Sequence, residues 1–224
     1  NHGMCYPAWR RNLPLLHAAE RYTPAVNPSG KTSDTFVYDL TATPTYNNFG
    51  NFLYDNMDEF AATSKNFGTG EEEATSSILG ELLDADLKGK SVLDMGCGTS
   101  ILAILASMRG ADPVTAIDID DWCVNNSRDN IALNNIANIT VELGDASLLK
   151  GRKPFDIIIA NINRNILLND MAAYAACMHK GSELYMSGFY VEDIPAIREK
   201  AESLGMTFVH HREKNRWVAV KFVM

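Results

Sequence analysis

The chain has 224 residues, enough for one sizeable domain with an appendage and for a well-buried core. With 46% hydrophobic and 21% charged residues, it has the composition of an ordinary soluble globular protein. No apolar run approaches the ~20 residues that a membrane helix needs. The net charge of −8 argues against a large nucleic-acid surface and suits a basic protein partner. We therefore expect neither a membrane nor a direct nucleic-acid partner.

The four cysteines lie far apart and lack the spacing of a metal site. We interpret them as free thiols, which is typical of the reducing cytoplasm. They are Cys5, Cys97, Cys123 and Cys177.

Residues 1–65 differ in character from the rest of the chain. A possible short helix is followed by a stretch rich in Pro, Gly and Ser, and then by an aromatic-rich amphipathic segment over 47–60. This pattern predicts an N-terminal arm or lid that packs on a main domain formed by 66–224.

From residue 66 onward, predicted strands and helices alternate. The predicted strands are 92–95, 114–118, 139–143, 155–160, 183–186, 207–212 and 217–222. The predicted helices are 72–83, 166–178 and 193–204. Two further helices are predicted, one that begins at about 99 and one that follows a cap at 120 and ends at 134 or 135. Such alternation predicts an α/β fold with a doubly wound parallel sheet. The last two strands would form a hairpin that adds an antiparallel edge strand.

A glycine turn follows the first of these strands, in the sequence Asp94-Met95-Gly96-Cys97-Gly98. The two glycines allow a sharp turn and a close ligand approach, and the next helix would direct free amides at that ligand. A dinucleotide fingerprint needs a third glycine where this chain has Ile101. The Asp-x-Gly-x-Gly pattern instead resembles the first motif of class I S-adenosylmethionine-dependent methyltransferases, with a Rossmann-like sheet. The resemblance implies that Asp94 supports the methionine part of the cofactor and that Gly96 and Gly98 let it lie flat. The alternative is a tight turn that binds nothing.

Three more polar residues follow the ends of successive strands, where ligands bind in such sheets. Asp118 could accept hydrogen bonds from both ribose hydroxyls, or it could be a loop or cap acid. Asp145 could accept from the adenine amino group, or it could be a turn aspartate. Asn161 could orient an acceptor amine toward the methyl donor, or it could cap a turn. Methyl transfer to a neutral amine depends on alignment more than on acid–base work.

Neither a metal site nor a nucleophile is expected. His210 and His211 are adjacent in a predicted strand and so face opposite ways, which makes one shared metal ion unfavourable. Cys97 lies in the glycine turn, but no base is predicted beside it.

Over residues 66–224 the chain resembles the ribosomal protein L-eleven methyltransferase (PrmA) family, especially its Bacteroidetes members. The matching stretches are Phe67-Gly68-Thr69-Gly70, Leu93–Thr99, Ile117–Asp120, Ile159–Asn165, Ser187-Gly188-Phe189 and Lys214–Trp217. The resemblance implies cofactor contacts at Thr75, Gly96, Asp118 and Asn161. It also implies an enzyme that methylates lysine side chains and the N-terminal amine of a ribosomal protein.

The chain departs from this family in two places. Glu71 and Glu72 stand where the family usually has one or two histidines, and residues 1–65 do not resemble its N-terminal substrate-binding domain. The leading hypothesis is a protein N-methyltransferase that uses S-adenosylmethionine. The alternatives are a small-molecule methyltransferase with 1–65 as its lid, or a catalytically weakened cofactor-binding protein.

Overall fold

The computed structural model describes residues 71–224, with side chains from Ser77 onward. The helices are α1 (Glu71–Asp84), α2 (Ile101–Met108), α3 (Asp121–Leu133), α4 (Arg164–Ala176) and α5 (Ile194–Ser203), with short 3-10 helices over Ala146–Leu149 and Val191–Asp193. The strands are β1 (Val92–Met95), β2 (Val114–Asp118), β3 (Ile139–Leu143), β4 (Phe155–Asn161), β5 (Met178–Tyr190), β6 (Thr207–Lys214) and β7 (Trp217–Val223).

Within these residues the strands form one seven-stranded sheet in the order β3-β2-β1-β4-β5-β7-β6. Strands β1 to β5 run parallel to one another, whereas β7 runs antiparallel to both β5 and β6. The predicted doubly wound sheet with an antiparallel last strand is therefore confirmed. The expectation that the antiparallel strand forms the edge is wrong, because β7 inserts between β5 and β6 and leaves β6 outermost.

Apolar residues cover both faces of the central strands, as a sheet between two helix layers requires. Alternate positions of β4 serve different faces. Ile157 and Ile159 pack in the core with α1 and α2, while Ile158 and Ala160 pack in the core with α4 and α5. This two-sided burial holds the carboxyl ends of β1, β2 and β4 at one edge of the sheet.

Helix α1 is anchored to the outer strand β6 by a buried carboxylate. Glu81 is only 3% exposed, and its two oxygens lie 2.8 Å from His210 Nε2 and 2.8 Å from Arg212 Nε. Arg212 also pairs with Asp84. These contacts fix the helix that begins at Glu71 against the far side of the sheet.

Most predicted elements are confirmed to within two residues, and β2 and β3 have the predicted ends. The exception is β5, predicted over 183–186, because its pairing with β7 extends it to Tyr190 and it begins at Met178. The proposed arm over 1–65 and the stretch 67–70 lie outside the described residues. The division into an arm and a main domain therefore stays a prediction.

The compartment remains a prediction too. None of the helices between residues 71 and 224 has the length and apolar composition of a membrane crossing. Cys97 and Cys177 are buried free thiols, as expected, but Cys123 is disulfide-bonded, so the prediction of free thiols is wrong there.

Candidate functional site

The glycine turn after β1 is held by its neighbour β2. The amides of Gly96 and Cys97 both donate to the Ile117 carbonyl oxygen, at 2.8 and 3.1 Å. Gly96 and Gly98 have φ values of 68° and 56°, a left-handed conformation that glycine adopts without a steric penalty. Ser100 is also left-handed, so α2 begins at Ile101 rather than near residue 99 as predicted.

Asp118 joins this turn to the end of β2. Its Oδ2 accepts a hydrogen bond of 2.8 Å from the Gly98 amide, and its Oδ1 accepts one of 3.0 Å from the Asp120 amide. Burial raises the pKa of this carboxyl, which is 9% exposed, and the two amide hydrogen bonds act in the opposite direction. Each carboxylate oxygen keeps a further lone pair, so both could also accept from ligand hydroxyls.

Asp94 lies beneath the turn and is only 1% exposed. Its Oδ2 accepts a hydrogen bond of 3.1 Å from the Ala103 amide in the first turn of α2. Its Oδ1 has no hydrogen-bond partner among the described residues. Burial raises the pKa of Asp94 to about 7, and the nearby Asp118 charge contributes in the same direction. Asp94 thus secures the start of α2 behind the turn, and its contact with the cofactor stays a prediction.

The end of β3 is tied to the same edge, because the Gly144 amide donates to the Asp118 carbonyl oxygen at 2.8 Å. The next residue, Asp145, is exposed, and its Oδ1 accepts a hydrogen bond of 2.9 Å from the Ser147 amide. Hydrogen bonds from Ser147 lower the pKa of Asp145. The carboxylate therefore makes the turn contact considered as its alternative role. A further contact with adenine stays a prediction.

Asn161 is the last residue of β4 and lies in register with Ser187 of β5. It is half-buried, at the same edge as the glycine turn. The following loop is firmly held, because the Ile162 amide donates to the Ser187 carbonyl oxygen at 3.2 Å. Asn163 then caps α4, with its Oδ1 accepting from the Ile166 amide at 3.1 Å. Asn161 thus projects from a fixed strand end.

The remaining predicted site residue, Thr75, lies in α1 shortly after its start at Glu71. The side chains of Thr75, Glu71 and Glu72 lie outside the described part of the chain. Their contacts with a cofactor stay predictions.

Sequence reasoning missed two exposed apolar side chains beside these polar groups. Ile119, which directly follows Asp118, is 71% exposed, and Leu143 at the end of β3 is 53% exposed. The position of Ile119 directly after the strand-end acid Asp118 could have indicated an apolar contact with a ligand at this site. Each of these exposed side chains is an apolar group on which a flat ring could pack.

The His, Cys, Asp and Glu side chains of residues 71–224 also bear on metal binding and on thiol chemistry. No group of three or more His, Cys, Asp or Glu side chains there could hold a metal ion. Burial raises the pKa of the Cys97 thiol far above its ordinary value, which disfavours the nucleophilic thiolate.

The polar and apolar groups at this site match those that an adenosyl cofactor requires. The site offers two carboxylate oxygens for a ribose diol at Asp118 and exposed apolar surface at Ile119. A side-chain carbon on Gly98 would meet none of the described residues within 4 Å, so within this part of the chain the turn leaves room for a close ligand approach. These residues fit S-adenosylmethionine.

The strand order, the glycine turn and the acid at the end of β2 define a class I methyltransferase fold. A solved ribosomal protein L11 methylase from Lactobacillus delbrueckii subsp. bulgaricus has a similar structure, with a TM-score of 0.64 and 27% identity over 68% of this chain and 79% of that one. A putative methyltransferase solved in complex with SAH shares the fold, with a TM-score of 0.58 and 16% identity over 67% of this chain and 49% of that one.

The family model of ribosomal protein L11 methyltransferase (PrmA) matches residues 64–224. A ribosomal protein L11 methyltransferase of Phocaeicola vulgatus is 83% identical over 158 residues, which are 70% of this chain and 56% of that protein. The chain belongs to the ribosomal protein L11 methyltransferase (PrmA) family. It spans about 56% of the length of this curated relative. The family and the fold together support S-adenosylmethionine as the cofactor.

Proposed function

We propose that the chain is a protein methyltransferase that transfers methyl groups from S-adenosylmethionine to amines of ribosomal protein L11. The observation that carries this proposal is the hydrogen bond between the Gly98 amide and Asp118, which joins the glycine turn to the strand-end acid within reach of the β4 end. The name shared by the relatives supports the substrate.

Each residue would do a separate part of the work. Asp118 would accept hydrogen bonds from the ribose hydroxyls, and Gly96 and Gly98 would let the methionine part lie close to the backbone. When bound, S-adenosylmethionine supplies an electrophilic methyl group. The Asn161 side-chain carbonyl would accept a hydrogen bond from the acceptor amine and so direct its lone pair. Alignment of a neutral amine in this way lowers the barrier without a general base.

The direct test is incubation of the full chain and S-adenosylmethionine with ribosomal protein L11 of Phocaeicola vulgatus, followed by intact-mass spectrometry. We expect mass increments of whole methyl groups, located by peptide mapping on lysine or N-terminal amines. Calorimetric titration of S-adenosylhomocysteine is run beside the assay.

The outcomes separate the alternatives. Cofactor binding without methylation of the ribosomal protein would overturn the proposed substrate and favour a small-molecule acceptor or a weakened enzyme. Absence of both binding and transfer would overturn the proposal as a whole.

A further inference from the structure

The loop after β4 lies against the glycine turn through one side chain. A β-carbon placed on Gly96 would lie 2.3 Å from Ile162 Cγ2, closer than real β-carbons approach other atoms. Ile162 therefore fills the space directly beside Gly96, where any larger residue would have a side chain. This contact sets the distance between the glycine turn and the loop that follows Asn161.

On its other side, the same loop packs closely against a glycine of β5. Gly188 has a φ of 94° and lies where the register of the β5–β7 pairing shifts between Ser187 and Phe189. A β-carbon on Gly188 would lie 2.4 Å from the Ile162 carbonyl oxygen and 2.7 Å from its carbonyl carbon. These are backbone atoms, so the loop itself would have to move.

Polar contacts hold the loop in this gap. The Ile162 amide donates to the Ser187 carbonyl oxygen, and the Arg164 guanidinium forms an ion pair of 3.1 Å with Asp193 just beyond β5. The loop is thus bound to β5 at its start and to Asp193 beyond β5 at its end, and the Ile162 side chain contacts the glycine turn after β1. Asn161 directly precedes Ile162, the residue held by these contacts.

We propose that Ile162 and Gly188 are positioning residues that hold Asn161 in line with the methyl donor, an inference that rests on the proposed function. The side chain of Ile162 keeps the loop at a set distance from the turn, and the missing side chain of Gly188 lets the loop backbone lie close to β5. A small displacement of the loop would misalign the amine but leave the cofactor contacts of Gly98 and Asp118 in place. Substitutions of Ile162 or Gly188 should therefore lower kcat without weakening cofactor binding to a similar degree.

The first test compares Gly188→Ala with Gly181→Ala. Both glycines lie in β5 with φ near 90°, at 94° and 91°, so both substitutions carry a similar backbone strain. A β-carbon on Gly181 would lie within 4 Å of no other atom in the part of the chain that the structure describes, which makes this variant the matched control. The readouts are kcat for methylation of ribosomal protein L11, the Kd for S-adenosylhomocysteine and the thermal unfolding midpoint.

We expect Gly188→Ala to lower kcat roughly 100-fold, as misplacement by about 1 Å can do. Its Kd should stay within about threefold of wild type, since binding to the ground state is untouched. Gly181→Ala should keep kcat within about twofold. Equal kcat values for the two variants, or a Kd that weakens in parallel with kcat, would overturn the proposal.

A second pair keeps the test decisive if Gly188→Ala does not fold. Ile162→Val retains Cγ2, the atom beside Gly96, whereas Ile162→Ala removes it. We expect Val to preserve kcat and Ala to lower it on the order of tenfold with little change in Kd. Loss of activity in both variants, or in neither, would contradict the positioning role.

Failure of the proposed function is recognised separately. If the wild-type chain methylates no amine, the proposed function fails, and the loop is then followed by the NMR signals of the Asn161 side-chain amide. These signals, assigned with Asn161→Ala, should shift in Gly188→Ala and not in Gly181→Ala. Unchanged signals in both would overturn the positioning role as well.

Discussion

Asp118 shows how the backbone places a functional side chain. Two amides hold its two oxygens, one from the glycine turn and one from the residue that caps α3. The carboxylate is therefore already oriented before a ligand arrives, and less conformational entropy is lost on binding.

Replacement of this group should weaken the cofactor complex. We expect Asp118→Ala to reduce the binding free energy of S-adenosylhomocysteine by roughly 1.5–3 kcal/mol, the range for charged hydrogen bonds. Isothermal titration measures this loss. Asp121→Ala, which removes an exposed carboxylate from the start of α3, is the control. An unchanged affinity in Asp118→Ala would exclude Asp118 from the site.

Asn161 should behave differently from Asp118. If its carbonyl aligns the acceptor amine, Asn161→Ala lowers kcat far more than it weakens S-adenosylhomocysteine binding, because alignment is realised in the transition state. Single-turnover methylation and calorimetry measure the two quantities, with the exposed Asn165→Ala as control. A parallel fall of both would make Asn161 a cofactor ligand only.

Asp94 should make stability depend on pH. Its pKa is raised from 3.8 to about 7 by burial, so the protonated form is favoured in the folded state. The stability linked to this proton is fully present below pH 3.8 and is lost as the pH rises through about 7. Asp94→Asn carries no such proton, because an amide does not titrate in this range.

The free energy of unfolding of Asp94→Asn relative to wild type should therefore increase between about pH 5 and pH 8, by up to about 3 kcal/mol. Urea denaturation of both proteins across this range measures the difference, because titrating groups that do not interact with Asp94 contribute equally to both. Parallel pH profiles would show that Asp94 titrates normally.

At the scale of elements, α1 depends on the outer strand β6. Glu81 is buried between His210 and Arg212, so removal of the Arg212 guanidinium leaves this buried carboxyl group without its permanently charged partner. Because α1 also carries Thr75, this contact links the outer edge of the sheet to the predicted cofactor site.

We expect Arg212→Ala to lower the free energy of unfolding by about 2 kcal/mol or more, allowing for its partial exposure to solvent. Arg216→Ala, which removes an exposed ion pair with Glu192, should cost about 1 kcal/mol or less. Chemical denaturation of both variants compares the two. Equal losses would mean that the Glu81 cluster adds no more than a surface pair.

At the scale of the whole molecule, the net charge of −8 bears on the proposed substrate. An acidic protein attracts a basic partner over a distance, and dissolved salt screens this attraction. We expect kcat/KM for ribosomal protein L11 to fall roughly tenfold from low to high salt, mainly through KM. The Kd for S-adenosylhomocysteine should change much less, since its contacts are local. A salt-independent KM would remove long-range attraction from substrate binding.

Several helices and strands could be predicted from short stretches of sequence, because their signals are local. The ends of β2 and β3 and the cap at Asp120 follow from apolar runs, turn residues and a side chain that accepts from the amide two residues later. The class of ligand followed from the resemblance of Asp94, the two turn glycines and Asp118 to the motifs of class I methyltransferases. Such features depend on neighbours along the chain, which a sequence displays.

Features that depend on residues far apart in the sequence became visible only in the folded chain. The length of β5 and the inner position of β7 follow from pairing between strands, and the sequence of one strand does not identify its partner. Likewise, Ile162 reads as an ordinary loop residue until the fold brings Gly96 and Gly188 against it. Close packing lets atoms from separate segments compete for one space, so the fit between them exists only once the sheet has formed.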